Sequence, residues 1–197
     1  MSAPTGLDRL LHLLQTRAFR CDDLPVFKLS SGAMSRFYID CKPVSLDPEG
    51  AALIGTAFFD RIAELPLEGC GGMTLGADPI ATAIALTSFL RGKPIPAFIV
   101  RKEPKQHGTG RQIEGPLPKN ARVIVVEDVV TTGESAVRAV EALRRENHTI
   151  LKVVALIDRK EGGAERIMRM GVPFESLLSL ENLIEQPQGC VPNPHQP

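Results

Sequence analysis

The 197 residues suffice for one α/β domain with a small additional element, and 23 basic against 23 acidic side chains leave no net charge, so no global field draws the chain to nucleic acid or an anionic membrane. Four cysteines (Cys21, Cys41, Cys70 and Cys190) lack metal-ligand spacing and read as buried or incidental thiols of a reducing compartment. Met1-Ser2-Ala3-Pro4 has no signal-peptide character, and the apolar stretch from Ile80 to Leu90, broken by Thr82, Thr87 and Ser88, falls far short of the ~20 residues of a membrane span; a cytoplasmic protein without membrane partner is predicted.

The chain opens with Leu7, Leu10, Leu11 and Leu14 at i, i+3, i+4 and i+7, one face of an amphipathic helix. Short strands are predicted over Val26–Leu29 and Arg36–Cys41, around a turn at Ser30-Ser31-Gly32, as a small separate element. Asp47-Pro48 reads as N-cap and first helical residue, with Ile54, Ala57, Phe58 and Ile62 on the buried face. From Cys70 strands and helices alternate. Strands are expected over Cys70–Thr74, Ile95–Val100, Arg122–Val126, Leu151–Ile157 and Phe174–Leu178, with helices starting at Asp78-Pro79 and near Ala164–Met170. That order implies an α/β fold with a twisted, mostly parallel sheet flanked by helices. Gln186 onward, rich in Pro and Gln, reads as a disordered tail.

The most telling stretch is Val123-Ile124-Val125-Val126-Glu127-Asp128-Val129-Val130-Thr131-Thr132-Gly133-Glu134-Ser135. An apolar run of this kind suits a strand buried on both faces. Ala136, Val140 and Leu143 then mark a helical face. The turn between them sits at a strand's carboxyl end and a helix's amino end, where open α/β sheets bind ligands and free N–H groups favour a phosphate. Thr131, Thr132 and Ser135 add hydroxyls, and Gly133 permits close backbone approach. Glu127 and Asp128 accept hydrogen bonds when ionised, so they suit the diol of a ribose. Together these groups describe a site for a ribose 5-phosphate. The competing reading is an ordinary capped turn.

Lys102 to Pro118 is the one long connection without hydrophobic period. Arg101, Lys102, Lys105, Arg111 and His107 outweigh Glu103, and Gly108, Gly110 and Gly115 loosen the segment. Such a loop suits a highly anionic ligand that is enclosed and then released. Asp158-Arg159 follows another apolar strand, at the same sheet edge as Glu127-Asp128 if the strands run parallel. Its guanidinium suits a bidentate carboxylate, or equally an internal salt bridge with Asp158 or Glu161.

These segments together resemble the type I phosphoribosyltransferases, and Val123–Ser135 matches their signature for phosphoribosyl pyrophosphate (PRPP). Phe27-Lys28-Leu29-Ser30-Ser31-Gly32, Ser35–Asp40, Arg101–Gly115 and Asp158-Arg159 are most similar to the members that use orotate. The likeness spans roughly Leu24 to Gly163. It implies the type I fold over residues 1–185 as one domain, with a hood over roughly 20–45 and a tail at 186–197. It implies transfer of phosphoribosyl from PRPP to orotate in pyrimidine nucleotide synthesis, with Mg²⁺ carried by PRPP and no direct protein ligand.

By the same resemblance Thr131 to Ser135 hold the 5-phosphate, and Glu127 and Asp128 the ribose hydroxyls. Val129 and Val130 belong to the same PRPP segment. Arg101, Lys102, Lys105 and His107 face the pyrophosphate, with Lys105, His107 and Asp128 counted as catalytic. Thr131 and Arg159 face orotate, and Phe37 and Tyr38 flank its ring. A homodimer that exchanges loops between active sites is implied. Two positions depart from the family: some members carry lysine where this chain has Ser30, and Tyr-Lys where it has Leu75-Gly76. The rival readings are transfer to another base and a non-catalytic PRPP sensor; the latter would want a nucleic-acid-binding face.

Overall fold

In a computed structural model the described residues are 5–29, 32–103 and 112–185; the tail at 186–197 and the Ser30-Ser31 turn lie outside them. Helix α1 (Gly6–Arg17) buries Leu10, Leu13 and Leu14. It opens on a capping box, in which Thr5 Oγ accepts from the Asp8 N–H and Asp8 accepts from the Thr5 N–H at 2.9 Å. Strands β1 (Phe19–Cys21) and β4 (Phe37–Ile39) pair antiparallel, as do β2 (Phe27–Lys28) and β3 (Met34–Ser35). These two ribbons form the small element expected near the start. The short α2 (Lys42–Ser45) leads to α3 (Pro48–Ile62), where Asp47 caps by accepting from the Glu49 and Gly50 N–H groups.

The main sheet holds β5 (Gly69–Met73), β6 (Ala97–Val100), β7 (Ile113–Glu114), β8 (Arg122–Val130), β9 (Thr149–Asp158) and β10 (Phe174–Ser179), in the spatial order β10-β9-β8-β5-β6-β7. All neighbours run parallel except β7, which is antiparallel to β6. Helices α4 (Ala77–Leu90), α5 (Glu134–Arg145) and α6 (Gly163–Met168) are the crossovers, and α7 (Leu180–Ile184) follows β10. The pleat of β8 builds two cores. Ile124 and Val126 join the one made with α1, α3 and α4, while Val123 and Val125 join the one made with α5 and α6.

Several boundaries differ from the sequence reading for local reasons. β6 begins at Ala97 rather than Ile95, because the Ile95 N–H donates to Ser88 Oγ at 2.8 Å instead of joining the ladder. α4 starts at Ala77, so Asp78 is no cap; it sits in the first turn and accepts the Thr74 hydroxyl at 2.7 Å. The long connection is not featureless, since Ile113 and Glu114 pair with Val100 and Ile99. β8 runs four residues past its expected end, because β9 pairs with it through Val130↔Asp158. Cys41 and Cys70 are buried free thiols, and burial pushes the Cys70 thiol up to about 12. Cys21 is disulfide-bonded, which corrects its reading as an incidental thiol; spacing along the chain does not say which thiols a fold brings together.

Connectivity fixes where a ligand belongs. From β5 the chain winds one way, through α4 to β6, whereas from β8 it winds the other way, through α5 to β9. The carboxyl ends of the adjacent strands β5 and β8 therefore bound a topological switch point, the usual binding crevice of open α/β sheets.

Candidate active site

The turn after β8 is shaped by Gly133, which adopts φ +73°, ψ +11° at the N-cap of α5. A Cβ there would sit 2.8 Å from the Gly163 carbonyl oxygen, so both the conformation and the space require glycine. The first N–H groups of α5 lack intrahelical partners, as at any helix start. They border a cavity of about 300 Å³ lined by Glu127, Val129 to Ala136, Arg138 and Lys102. The structure thus brings the expected phosphate turn, one acid of the pair and one cation of the basic segment to a single cavity.

The two acids do not sit side by side. Because β8 continues through them, the pleat sends them to opposite faces of the strand. Glu127, 5 % exposed, lines the cavity beside α5, and its Oε1 is buried without a hydrogen bond. Burial, with the neighbouring Asp128 charge second, holds its carboxyl well above the usual range. Asp128 faces the other way, over the β5–α4 turn. A Cβ on Gly76 would lie 2.5 Å from its carboxylate atoms. Burial raises the Asp128 carboxyl, while the Val129 N–H, donating at 2.8 Å, and the Lys42 charge pull it back.

Lys42 was missed in the sequence. It pairs with Asp40, and the charges of Asp40 and Asp128 favour its ammonium form. Its one available signal was its place between Asp40 and Pro43, at the start of a short helix. Gly76 lies against Asp128, and Lys42 is the cation acting on that carboxylate.

Asp158 and Arg159 lie at the same sheet edge as the acid pair, since β8 and β9 are parallel and Val130 pairs with Asp158. Arg159 is 4 % exposed; it donates to Glu161 Oε1 at 2.9 Å, Ser35 Oγ at 3.1 Å and the Phe37 carbonyl at 3.3 Å. The internal salt bridge weighed from the sequence is therefore made, to Glu161. Asp158 accepts from the Lys160 N–H at 2.9 Å and lies 3.5 Å from the Lys160 ammonium. Of the two hood aromatics, Phe37 stacks on Phe19, with ring centres 5.9 Å apart, and packs against the core; its carbonyl, not its ring, reaches the arginine. Tyr38 stacks on Phe27 at 5.8 Å and stays partly exposed.

The basic segment is held at its two ends. The Arg101 N–H donates to the Gln112 carbonyl at 2.9 Å, and the Gln112 side chain donates to the Arg101 carbonyl at 2.9 Å. The Arg101 guanidinium lies 3.7 Å from Glu114, so this cation is at the base of the loop while Lys102 lines the cavity. Gly115 adopts φ +131°, and a Cβ there would stand 2.8 Å from the Ala97 carbonyl oxygen. The Ile-Glu-Gly ending is thus an anchor on the sheet edge, with glycine required where the chain passes β6. Lys105 and His107 lie outside the described residues. Among the described residues no group of three or more His, Cys, Asp or Glu gathers in a way that holds a metal ion.

The model of the phosphoribosyl transferase domain matches residues 74–174. The orotate phosphoribosyltransferase of Aquifex aeolicus is 50 % identical over 177 residues, covering 90 % of this chain and 97 % of that protein. The crystal structure of Mycobacterium tuberculosis H37Rv orotate phosphoribosyltransferase in complex with Fe(III) dicitrate is similar with a TM-score of 0.79 and 36 % identity. Its complex with PRPP gives 0.75 and 35 %. Both cover 91 % of this chain and 99 % of theirs.

Proposed function

This chain belongs to the orotate phosphoribosyltransferase family of type I phosphoribosyltransferases, and from that membership we infer that it transfers the 5-phosphoribosyl group of PRPP to orotate. Orotidine 5′-monophosphate and pyrophosphate are the products, in de novo pyrimidine biosynthesis. The observation that carries the reading is the cavity at the switch point, where an anion-binding turn, a buried carboxyl with an unpartnered oxygen and a lysine converge.

The 5-phosphate takes the N–H groups and hydroxyls of Thr131 to Ser135. The ribose lies across the end of β8, its hydroxyls donating to Glu127 on one side and Asp128 on the other. The unpartnered Glu127 Oε1 supports this placement, because a buried acceptor without a donor is costly until a ligand supplies one. Arg159 faces the carboxylate of orotate, with Thr131 and the hood residues Phe37 and Tyr38 near the ring. Among the described residues no acidic cluster gathers to hold a metal ion, so Mg²⁺ would be held chiefly by PRPP and would supply neutralisation of charge at the pyrophosphate.

The bond from the anomeric carbon to pyrophosphate breaks as the bond to the orotate ring nitrogen forms. The chain's contribution is positioning and charge stabilisation. Lys102, Lys105, His107 and Arg101 stabilise the leaving group, and loop closure excludes water that would hydrolyse PRPP. Residues 1–185 act as one domain with its hood over roughly 20–45. Two copies pair, and the basic loop of one serves the site of the other. The exposed side chains of Leu86, Phe89 and Leu90 on α4 support a pairing face there. Among the described residues no helix is long and apolar enough to cross a membrane.

The test is loss of orotate absorbance with PRPP, with and without Mg²⁺, beside a panel of other bases. We expect loss with orotate alone, dependent on both PRPP and the metal. Turnover of a purine instead, or PRPP binding without any turnover, would overturn the reading.

A further inference from the structure

A guanidinium has five N–H donors, and most of those on Arg159 are already taken. Nε donates to Glu161 Oε1 at 2.9 Å, and Nη2 lies 2.8 Å from the same oxygen. Nη2 also donates to Ser35 Oγ, and Nη1 to the Phe37 carbonyl. The Nε/Nη2 edge, which takes a carboxylate side-on, is thus occupied by a side chain of the protein itself. An incoming carboxylate meets a closed edge.

We propose that Glu161 is a stand-in carboxylate: it holds the side-on edge of Arg159 until the carboxylate of orotate displaces it, and so keeps the buried guanidinium paired in the empty site while weakening orotate binding. This rests on reading Arg159 as the partner of orotate. The two members of the pair are unequal. The Arg159 side chain is 2 % exposed and is tied to the hood by two neutral acceptors, whereas the Glu161 side chain is 40 % exposed. Glu161 can therefore carry its own charge into water, whereas Arg159 stays buried and needs another carboxylate in its place. The following Gly162, at φ +88°, has no atom within 4 Å of where a Cβ would stand, so the turn has room for the carboxylate to swing outward.

Exchange then proceeds carboxylate for carboxylate, leaving Ser35 and the Phe37 carbonyl in place. A pyrimidine without a carboxylate leaves the Glu161–Arg159 pair closed, because opening it would leave a buried guanidinium unpaired. Displacement is thus felt by orotate alone, whose binding the internal pair weakens.

The experiment compares wild-type enzyme with Glu161→Gln and Glu161→Ala, measuring KM for orotate, KM for PRPP and the inhibition constant of uracil. We expect KM for orotate to fall about five-fold, the scale of a half-exposed ion pair, with the larger change in Glu161→Ala. The uracil constant and KM for PRPP should stay in place. A rise in KM for orotate would show that Glu161 orients the arginine instead, and an unchanged value, or a parallel change for uracil, would equally overturn the proposal. Arg159→Ala separates the two layers: if its KM for orotate is normal, the assignment of Arg159 itself has failed. If that KM rises strongly while the Glu161 variants behave like wild type, only the stand-in idea has.

Discussion

Glu127, proposed to hold the ribose, is buried at the expense of the fold. Its ordinary value is 4.5, and burial in the folded chain raises it well above that. Below pH 4.5 the carboxyl is protonated in both folded and unfolded states and costs nothing. As pH climbs past that point the unfolded chain ionises first, so stability is lost progressively until the raised folded value is passed. We therefore expect Glu127→Gln to melt at a higher temperature than wild type at neutral pH. The gap should vanish near about pH 4, while kcat/KM for PRPP falls on the order of 10² through misplacement of the ribose. Thermal melts across pH, read beside initial rates, check both halves; equal melting at neutral pH would contradict the argument. The identity of this residue was legible because two acids ending a valine run have no structural purpose there. Its separation from Asp128 across the strand was not legible, since it depended on β9 extending the ladder through Val130. Lys42 escaped notice because its influence on Asp128 is exerted across the fold, not along the chain.

At the scale of elements, the β8–turn–α5 unit was readable because local sequence dictates each part of it. Valines make a doubly buried strand, glycine makes the left-handed turn, and the i, i+4, i+7 spacing makes the helix. Gly133→Ala tests how much the turn depends on that conformation. Positive φ and a Cβ 2.8 Å from the Gly163 carbonyl oxygen should together cost about 1–3 kcal/mol of stability. They should also raise KM for PRPP at least ten-fold as the N–H groups lose their convergence, as denaturant titration and steady-state kinetics can measure. A variant with wild-type KM would mean that the phosphate does not bind here. The short elements were not legible. β1, β3 and β7 are two or three residues long and exist only through their partners, so no periodicity announces them. β7 reads as part of a loop until Ile113 and Glu114 are seen pairing with β6.

At the scale of the molecule the proposed site draws on distant parts of the chain: Lys102, Glu127 and the phosphate turn line the cavity, the hood reaches Arg159, and the β5–α4 turn faces Asp128. Only the parallel alternation of strands and helices, visible in the sequence, said that these would meet at one sheet edge. A second copy should complete the site. Phe89, 70 % exposed on α4, should lie in the contact between copies, so Phe89→Glu is expected to give monomers by sedimentation with much reduced turnover. Mixing Lys105→Ala chains with Arg159→Ala chains should restore part of the activity; monomeric wild-type enzyme, or no rescue, would place the whole site in one chain. The most direct measurement of the central claim is a crystal structure with PRPP bound. The account expects the 5-phosphate on the N–H groups of Thr131 to Ser135 and the ribose hydroxyls on Glu127 and Asp128. A phosphate lodged elsewhere, with both carboxylates free of the sugar, would contradict it.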